Sequence, residues 1–267
     1  MATQQRQGGS PTVQRNFQRL SNTKEFRISS VSAQGGFGGQ GTEMAAFSST
    51  GAYDKVLILT LATLAVGVIS YALNLPPALA FIGAIGGLGV VLWTNFHPTI
   101  AKTTAPIYAL LQGLTLGILS RWTAGSGFGI VTMALLGTLG VYFAVLTLYR
   151  TGWVRVTQGF TKAAFVIVMG TMFAAFGYMI LNMLHFPVLS SVGSRGGTFV
   201  IFGVLYLVSG IMTLFVDFAF IDNAGKSSGL SRDGEWYAAL TVLISLVMIY
   251  LGLLRIIGAF GGGGSRS

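Results

Sequence analysis

Asp217 is the residue with the clearest chemical potential, because it is the one carboxylate inside a long apolar run, 197–221. An ionised carboxylate is costly in hydrocarbon, so such a residue usually faces a water-filled cavity or a partner. Asp217 is therefore a candidate proton-sensitive gate or cation ligand. The simpler alternative is that it reaches interfacial water or pairs with a basic residue at the same end of the molecule, namely Lys102, Lys162 or Lys226.

Three further acids follow closely, so that Asp217, Asp222, Asp233 and Glu235 place four carboxylates within 19 residues. Oxygen-rich clusters bind hard cations such as Ca²⁺, although this spacing differs from that of an EF-hand loop. Taken singly, Asp233 and Glu235 also suit the start of a helix before Trp236, because the helix dipole stabilises negative charge there. Both interpretations stay open from the sequence.

Small and polar residues recur at three- and four-residue spacing in three apolar runs, which places them on one face of each helix. We expect these faces to point inward, because polar groups avoid lipid. They fit either an ion pathway or hydrogen bonding between helices alone. The residues are Tyr108, Gln112 and Thr115 in the third run, Tyr206, Gly210, Thr213 and Asp217 in the sixth, and Ala238, Thr241, Ser245, Met248 and Gly252 in the seventh.

Enzymatic chemistry finds little support in the residue pattern. The sequence has no cysteine, which excludes disulfides, thiolate catalysis and cysteine metal sites. It contains neither HExxH nor GxSxG, and the GxGxxG match at 36–41 lies in a Gly-rich polar stretch without a preceding strand. We expect no enzyme activity, no cofactor and no metal centre.

The composition points to a membrane protein. Hydrophobic residues make up 52% of the 267 positions and charged residues only 9%, against about 25% in a soluble domain. The net charge of +9 comes from basic residues at the edges of apolar runs. That distribution is typical of membrane loops and argues against nucleic-acid binding.

Seven apolar runs separated by turn residues predict an all-α membrane protein, a bundle of seven transmembrane helices. The shortest run, about 17 residues, would span about 26 Å as a helix, which suffices for a hydrocarbon core of about 30 Å. None of the runs alternates polar and apolar residues as barrel strands do. The runs cover residues 56–73, 78–94, 104–120, 127–148, 163–184, 197–221 and 236–258.

The polar flanks and the basic residues predict domain limits and orientation. We expect a disordered cytoplasmic tail at 1–52, a seven-helix domain at 53–259 and a flexible C-terminal tail at 260–267. Of the sixteen basic residues, twelve lie in the N-terminal tail and in loops on its side of the membrane. Positively charged loops face the cytoplasm, so we expect a cytoplasmic N-terminus and an external C-terminus in the cell membrane.

Two pairs of glycines favour close helix packing. Gly83 and Gly87 in the second run, and Gly113 and Gly117 in the third, each form a GxxxG motif. Lipid tails are as apolar as leucine, so transmembrane helices associate largely through such small residues. We interpret these glycines as packing positions rather than ligand contacts.

Four segments carry a family resemblance. They are PIYALLQGLTLG at 106–117, LTLYRTG at 146–152, LFVDFAFID at 214–222 and EWYAA at 235–239. In this order and spacing they resemble the bacterial branch of the Bax inhibitor-1/YccA-like (TMBIM) family of membrane proteins. The resemblance covers about residues 53–258.

The resemblance implies a seven-helix fold in which the last helix is wrapped by the other six. It also implies a pH-responsive ion leak, most often for Ca²⁺, that depends on one aspartate late in the sixth helix and one in the seventh. Asp217 matches the first aspartate, whereas Ser245 stands where the second is expected. Either Asp222 or Glu235 substitutes for it, or this chain conducts differently, or it does not conduct.

We therefore expect a pH-sensitive cation leak, with Asp217 at the cytoplasmic mouth, Ca²⁺ as the permeant ion, and Gln112, Thr213, Thr241 and Ser245 along the pathway. The alternative is a non-conducting interaction protein that regulates a membrane protease or another membrane partner through its Gly-rich faces and its tail. In both cases the lipid bilayer surrounds the protein, and the resemblance implies a bacterial inner membrane.

Overall fold

A computed structural model describes residues 47–124, 128–183, 195–226 and 232–261. Within these ranges the regular structure consists of seven α-helices and one 3₁₀ turn, Pro98–Ile100. The α-helices are α1 (Ser49–Ala72), α2 (Pro77–Phe96), α3 (Ala101–Ala124), α4 (Phe128–Arg150), α5 (Gln158–Met183), α6 (Arg195–Lys226) and α7 (Gly234–Gly261).

The helical domain begins slightly earlier than the predicted boundary at residue 53. The Ser48 hydroxyl caps α1 by accepting a hydrogen bond from the backbone N–H of Gly51 at 3.4 Å, as serine often does at this position. Phe47 just before it is already buried. The rest of the predicted N-terminal tail, 1–46, and of the C-terminal tail, 262–267, lies outside the described residues.

Local sequence also explains two of the connections. Pro77 occupies the first position of α2, where a missing backbone N–H costs nothing. Between α4 and α5, Gly152 has a φ of 73°, a left-handed conformation that glycine adopts without steric cost. This turn leads the chain back from α4 into α5.

Six of the seven helices are long and apolar enough to cross a membrane, so the chain is a multi-pass membrane protein. The exception is α3, whose 24 residues include Gln112 and Thr115 near the middle. It contains more buried residues than α1, α2 or α4, because other helices rather than lipid cover much of it. The predicted count of seven spans therefore depends on α3.

The centre of the bundle is α7. It packs against α1, α3, α4 and α6, whereas α2 packs on α3, and α5 packs on α6. Half of its membrane-length segment is buried (50%), against 17–22% for α1, α2, α4 and α5. The resemblance implies a last helix wrapped by the other six; the structure places this helix in the interior, with four helices rather than six packed against it.

An aromatic cluster holds α6 beside α1 and α4. The fully buried ring of Phe218 in α6 lies 5.6 Å from that of Tyr142, 6.1 Å from that of Tyr149 and 6.2 Å from that of Tyr53, between centroids. Such tilted and edge-on pairs add to the stability from burial alone. The cluster fixes the segment of α6 that carries Asp217.

Candidate functional site

Asp217 lies well inside the protein. Because α6 continues to Lys226, Asp217 is about two and a half turns from the end of its helix, not the single turn that the apolar run predicts. Only 8% of the residue is exposed. The polar residues at 222–226 that follow the apolar run remain helical, which accounts for the difference.

The carboxylate of Asp217 is held by hydroxyl groups of α7. Ser245, itself 1% exposed, donates a hydrogen bond from Oγ to Asp217 Oδ2 at 2.5 Å. Thr241, one turn earlier on α7, also lies close to this carboxylate, while its hydroxyl donates to the carbonyl oxygen of Ala238 in its own helix at 2.9 Å. Among the described residues, no basic side chain forms an ion pair with Asp217, and Lys226 pairs with Asp222 instead.

Glycines bring the two helices of this pair into backbone contact. A Cβ atom added to Gly252 in α7 would lie 2.6 Å from the backbone nitrogen of Leu207 in α6. One added to Gly210 in α6 would lie 2.9 Å from the backbone nitrogen of Ile249 in α7. The absence of side chains at these positions lets α6 and α7 approach closely, so that the short side chains of the Asp217–Ser245 pair can meet.

Two other predicted pathway residues point elsewhere. Thr213 donates from Oγ1 to the carbonyl oxygen of Ser209 in its own helix at 2.8 Å. The side-chain amide of Gln112 lies against α2, where a Cβ added to Gly87 would be 2.5 Å from Nε2. The structure thus joins Ser245 to Asp217 by a hydrogen bond and places Thr241 close to the same carboxylate, whereas the contacts shown for Gln112 and Thr213 are to other groups.

Asp222 lies at the end of α6, half-exposed, and belongs to a different set of contacts. It accepts a hydrogen bond from Lys226 Nζ at 2.7 Å, which is an exposed ion pair one turn along the helix. The hydroxyl of Tyr149 approaches the same carboxylate oxygen at 3.5 Å. Exposed pairs of this kind contribute little to stability.

Glu235 forms the second buried acidic site. It lies in the first turn of α7, as its interpretation as a helix-start residue requires, and is 1% exposed. Its carboxylate forms an ion pair with Lys55 of α1 and accepts the backbone N–H of Ser48 at 2.9 Å. Lys55 also lies over the ring of Trp236, 5.4 Å from its centroid, so the pair joins the start of α1 to the start of α7.

The four clustered acids therefore do not converge on one ion. In the part of the chain that the structure describes, no group of three or more His, Asp or Glu side chains could hold a metal ion. The hydrogen bonds shown for Asp222 and Glu235 are to other groups: Asp222 is bonded to Lys226, and Glu235 to the backbone N–H of Ser48. The place beside Asp217 is taken by Ser245.

The glycine pairs lie at contacts between helices. Gly113 and Gly117 of α3 face α1, and a Cβ added to Gly113 would lie 2.6 Å from the carbonyl oxygen of Thr63. Gly83 and Gly87 of α2 face α3. Both pairs are used inside the bundle, so these faces are already covered by the chain itself.

Comparison with known families decides the assignment. The sequence matches the family described as Bax inhibitor 1 like over residues 4–262, nearly the whole chain. The chain belongs to the Bax inhibitor 1-like family. The resemblance carried by the four sequence segments is thereby confirmed. A comparison with curated proteins finds no match.

One contact of this Bax inhibitor 1-like protein is not evident from local sequence. Lys55 pairs with Glu235 across 180 residues of chain, and nothing in the spacing of either residue identifies the other. The available signal is that Lys55 directly precedes the apolar run 56–73, and the structure places it inside the helix Ser49–Ala72. A charged residue in such a position requires a partner, and Glu235 is an acid at the same end of the bundle.

Proposed function

We propose that this Bax inhibitor 1-like protein is a pH-sensitive cation leak in which Asp217 is the protonation-sensitive group. The observation that supports this most strongly is an acid buried inside α6 whose partners are hydroxyl groups rather than a basic side chain. An ionised carboxylate without a counter-ion needs water or a cation beside it, whereas the protonated form needs neither. Protonation therefore changes whether the closed α6–α7 contact is favourable.

Calcium is the permeant ion that the chemistry of the site favours. Carboxylate and hydroxyl oxygens are ligands for hard cations, and Ca²⁺ accepts them in flexible geometry. The Asp217–Ser245 pair offers both kinds of oxygen at one place between α6 and α7. Family membership supports the same ion, because the resemblance implies a leak that is most often for Ca²⁺.

A single titrating acid distinguishes this proposal from a mechanism with two aspartates. Two neighbouring carboxylates lose their protons in two coupled steps, whereas one carboxylate loses its proton in one. Because a serine hydroxyl accompanies Asp217, we expect one pH transition in the ion flux.

We propose that α3 is the seventh span, with the N-terminus in the cytoplasm and the protein in the cell membrane. The length of α3, 24 residues, equals about 36 Å of helix, enough to cross the hydrocarbon core. Its polar residues Gln112 and Thr115 lie against α2, and Ser120 is hydrogen-bonded to Tyr250 of α7. The uneven distribution of basic residues supports the orientation.

The experiment is Ca²⁺ flux into liposomes that contain the purified full-length protein and an internal Ca²⁺-sensitive dye. We expect the flux of the wild type to change with pH and that of Asp217→Asn to be independent of pH, because asparagine cannot ionise. Asp222→Asn is the matched control: it removes an acid from the same helix, but one that is exposed and paired with Lys226, and it should keep the pH transition.

Two outcomes would contradict the proposal. Equal pH dependence in the wild type and in Asp217→Asn would exclude Asp217 as the titrating group. Absence of flux from correctly inserted wild-type protein at every pH would favour the non-conducting interaction protein. Because both glycine pairs pack within the bundle, such a protein would bind its partner through other surfaces.

A further inference from the structure

A cleft of about 980 Å³ opens at the end of the bundle where α1 begins. It lies between the starts of α1 and α5, the ends of α4 and α6, and the connection from α4 to α5. Its lining includes two arginines, Arg150 and Arg155, and two tyrosines, Tyr53 and Tyr149. The cleft is separate from the Asp217–Ser245 pair, neither residue of which lines it.

The cleft carries an excess of positive charge. Arg150 and Arg155 are exposed, and neither lies within ion-pair distance of a carboxylate among the residues the structure describes. The acid in the lining is Asp222, whose charge is already balanced by Lys226 at 2.7 Å. Two arginine charges therefore remain to attract an anion.

The donors in the cleft suit phosphate in particular. A guanidinium group presents a planar fork of N–H donors that matches the oxygens of a phosphate group. The hydroxyl of Tyr53 lies close to the guanidinium group of Arg150, which restricts the space open to this side chain. Gln158 and Gly159, at the start of the 26-residue helix α5, also line the cleft, and the first backbone N–H groups of a helix have no partner within it.

The cleft also lies at the depth of a membrane surface. Arg150 is the last residue of a helix long enough to cross the membrane, Phe128–Arg150. Trp153, three residues later, is 84% exposed, and exposed tryptophans are enriched at the level of lipid headgroups. Phosphate groups of the bilayer and of the adjoining water are both found at this depth.

We propose that this cleft binds a phosphate-bearing anion at the membrane surface through Arg150 and Arg155. The anion is a lipid headgroup or a soluble phosphate, which present the same chemistry to the two guanidinium groups. The site does not depend on ion conduction, since it shares no residue with the Asp217–Ser245 pair.

The test is calorimetric titration of the full-length protein in uncharged detergent with three probes: dihexanoyl phosphatidylglycerol, zwitterionic dihexanoyl phosphatidylcholine and inorganic phosphate. The double variant Arg150→Gln, Arg155→Gln should weaken binding of the anionic probe by about tenfold or more, because it removes two charged hydrogen-bonding groups.

The control, Lys102→Gln with Arg232→Gln, removes the same charge from exposed residues at the same end that do not line the cleft. It should change the affinity by less than about twofold, because exposed charges act weakly at a distance in salt.

The probes identify the source of the phosphate. If phosphatidylglycerol binds and inorganic phosphate does not, the ligand is a lipid headgroup. If inorganic phosphate binds and phosphatidylglycerol does not, the ligand is a soluble anion. Binding of both probes supports a site that recognises the phosphate group whichever molecule carries it. The proposal is overturned if the wild type binds neither anionic probe, if phosphatidylcholine binds as tightly as phosphatidylglycerol, or if the control variant loses as much affinity as the double variant. Thermal unfolding of each variant verifies that the fold is intact.

Discussion

At the scale of single residues, a hydroxyl group stands beside the buried acid of α6. Ser245 can donate a hydrogen bond to Asp217 whether or not Asp217 carries a proton, whereas an ionised aspartate in its place could only accept. The hydrogen bond at 2.5 Å therefore survives titration of its partner. Under the proposed function, the contact between α6 and α7 responds to one proton.

Replacing Ser245 by aspartate should introduce a second titrating group. In Ser245→Asp the two carboxylates would lie within hydrogen-bonding distance and titrate in coupled steps. We expect the pH profile of Ca²⁺ flux in liposomes to change from one transition to two. Ser245→Asn, of similar size but without an ionisable group, should retain a single transition, and a second transition in that variant would refute the explanation.

The buried pair of Lys55 and Glu235 should matter far more for stability than the exposed pair of Lys226 and Asp222. Removing one partner of a buried pair leaves an uncompensated charge and costs about 3–5 kcal/mol. We therefore expect Lys55→Met to lower the free energy of unfolding in detergent by about that amount. The control Lys226→Met breaks a pair whose side chains are 70% and 46% exposed, and should cost about 0–1 kcal/mol. Similar losses in both variants would contradict the burial argument.

The residues of the site differ in how far sequence could predict them. Asp217 is identified by its isolation in an apolar run, and Ser245 by the expected place of a second aspartate. Gln112 and Thr213 share a helical spacing with other polar residues. Such spacing predicts which face of its own helix a residue lies on, but it does not predict which other helix packs against that face. Gln112 lies against α2, and Thr213 bonds to its own helix.

At the scale of helices, the site depends on how closely α6 and α7 approach. Gly252→Ala would place a Cβ atom 2.6 Å from a backbone nitrogen of α6, and a helix backbone cannot move aside as a side chain can. Overpacking of this kind costs about 1–3 kcal/mol, so we expect a lower melting temperature in detergent. Gly170→Ala in α5, where an added Cβ meets nothing within 4 Å, should leave the melting temperature unchanged or raise it slightly.

The same two substitutions separate packing from simple helix propensity. If Gly252→Ala and Gly170→Ala behave alike, close approach at Gly252 is not what holds the two helices together. The sequence indicates GxxxG pairs in α2 and α3, since four-residue spacing is a local pattern. The α6–α7 contact instead combines Gly203, Gly210 and Gly252 from two helices, a pattern visible only after folding.

The helices also extend further along the chain than the apolar runs that predict them. Apolar runs mark the segments within hydrocarbon, whereas α6 continues through polar residues to Lys226. Backbone hydrogen bonding carries a helix into the aqueous interface, because polar side chains are solvated there. The described residues contain seven α-helices, as the sequence predicts. One of them, α3, is less apolar than a lipid-facing span, because α1, α2 and α7 cover it.

At the scale of the whole molecule, the topology is testable because the natural sequence has no cysteine. If α3 crosses the membrane, the exposed residues Lys102 in its first turn and Thr151 after α4 lie on one side, and Gly129 at the start of α4 lies on the other. We expect a membrane-impermeant maleimide added to intact cells to label Gly129→Cys only. Lys102→Cys and Thr151→Cys should become labelled after the membrane is permeabilised. Labelling of Thr151→Cys alone in intact cells, or of Lys102→Cys together with Gly129→Cys, would exclude the seven-span arrangement.

The central position of α7 also governs the order in which the protein can be assembled during biosynthesis. The other six helices leave the ribosome first, so the four that pack on α7, namely α1, α3, α4 and α6, enter the membrane before it. Throughout this interval Lys55 lacks the partner it has in the folded protein, since Glu235 is translated 180 residues later. The first helix can pack on α3 before then, but the ion pair that joins its start to the seventh helix forms only when that helix arrives, which makes this contact a late step of synthesis.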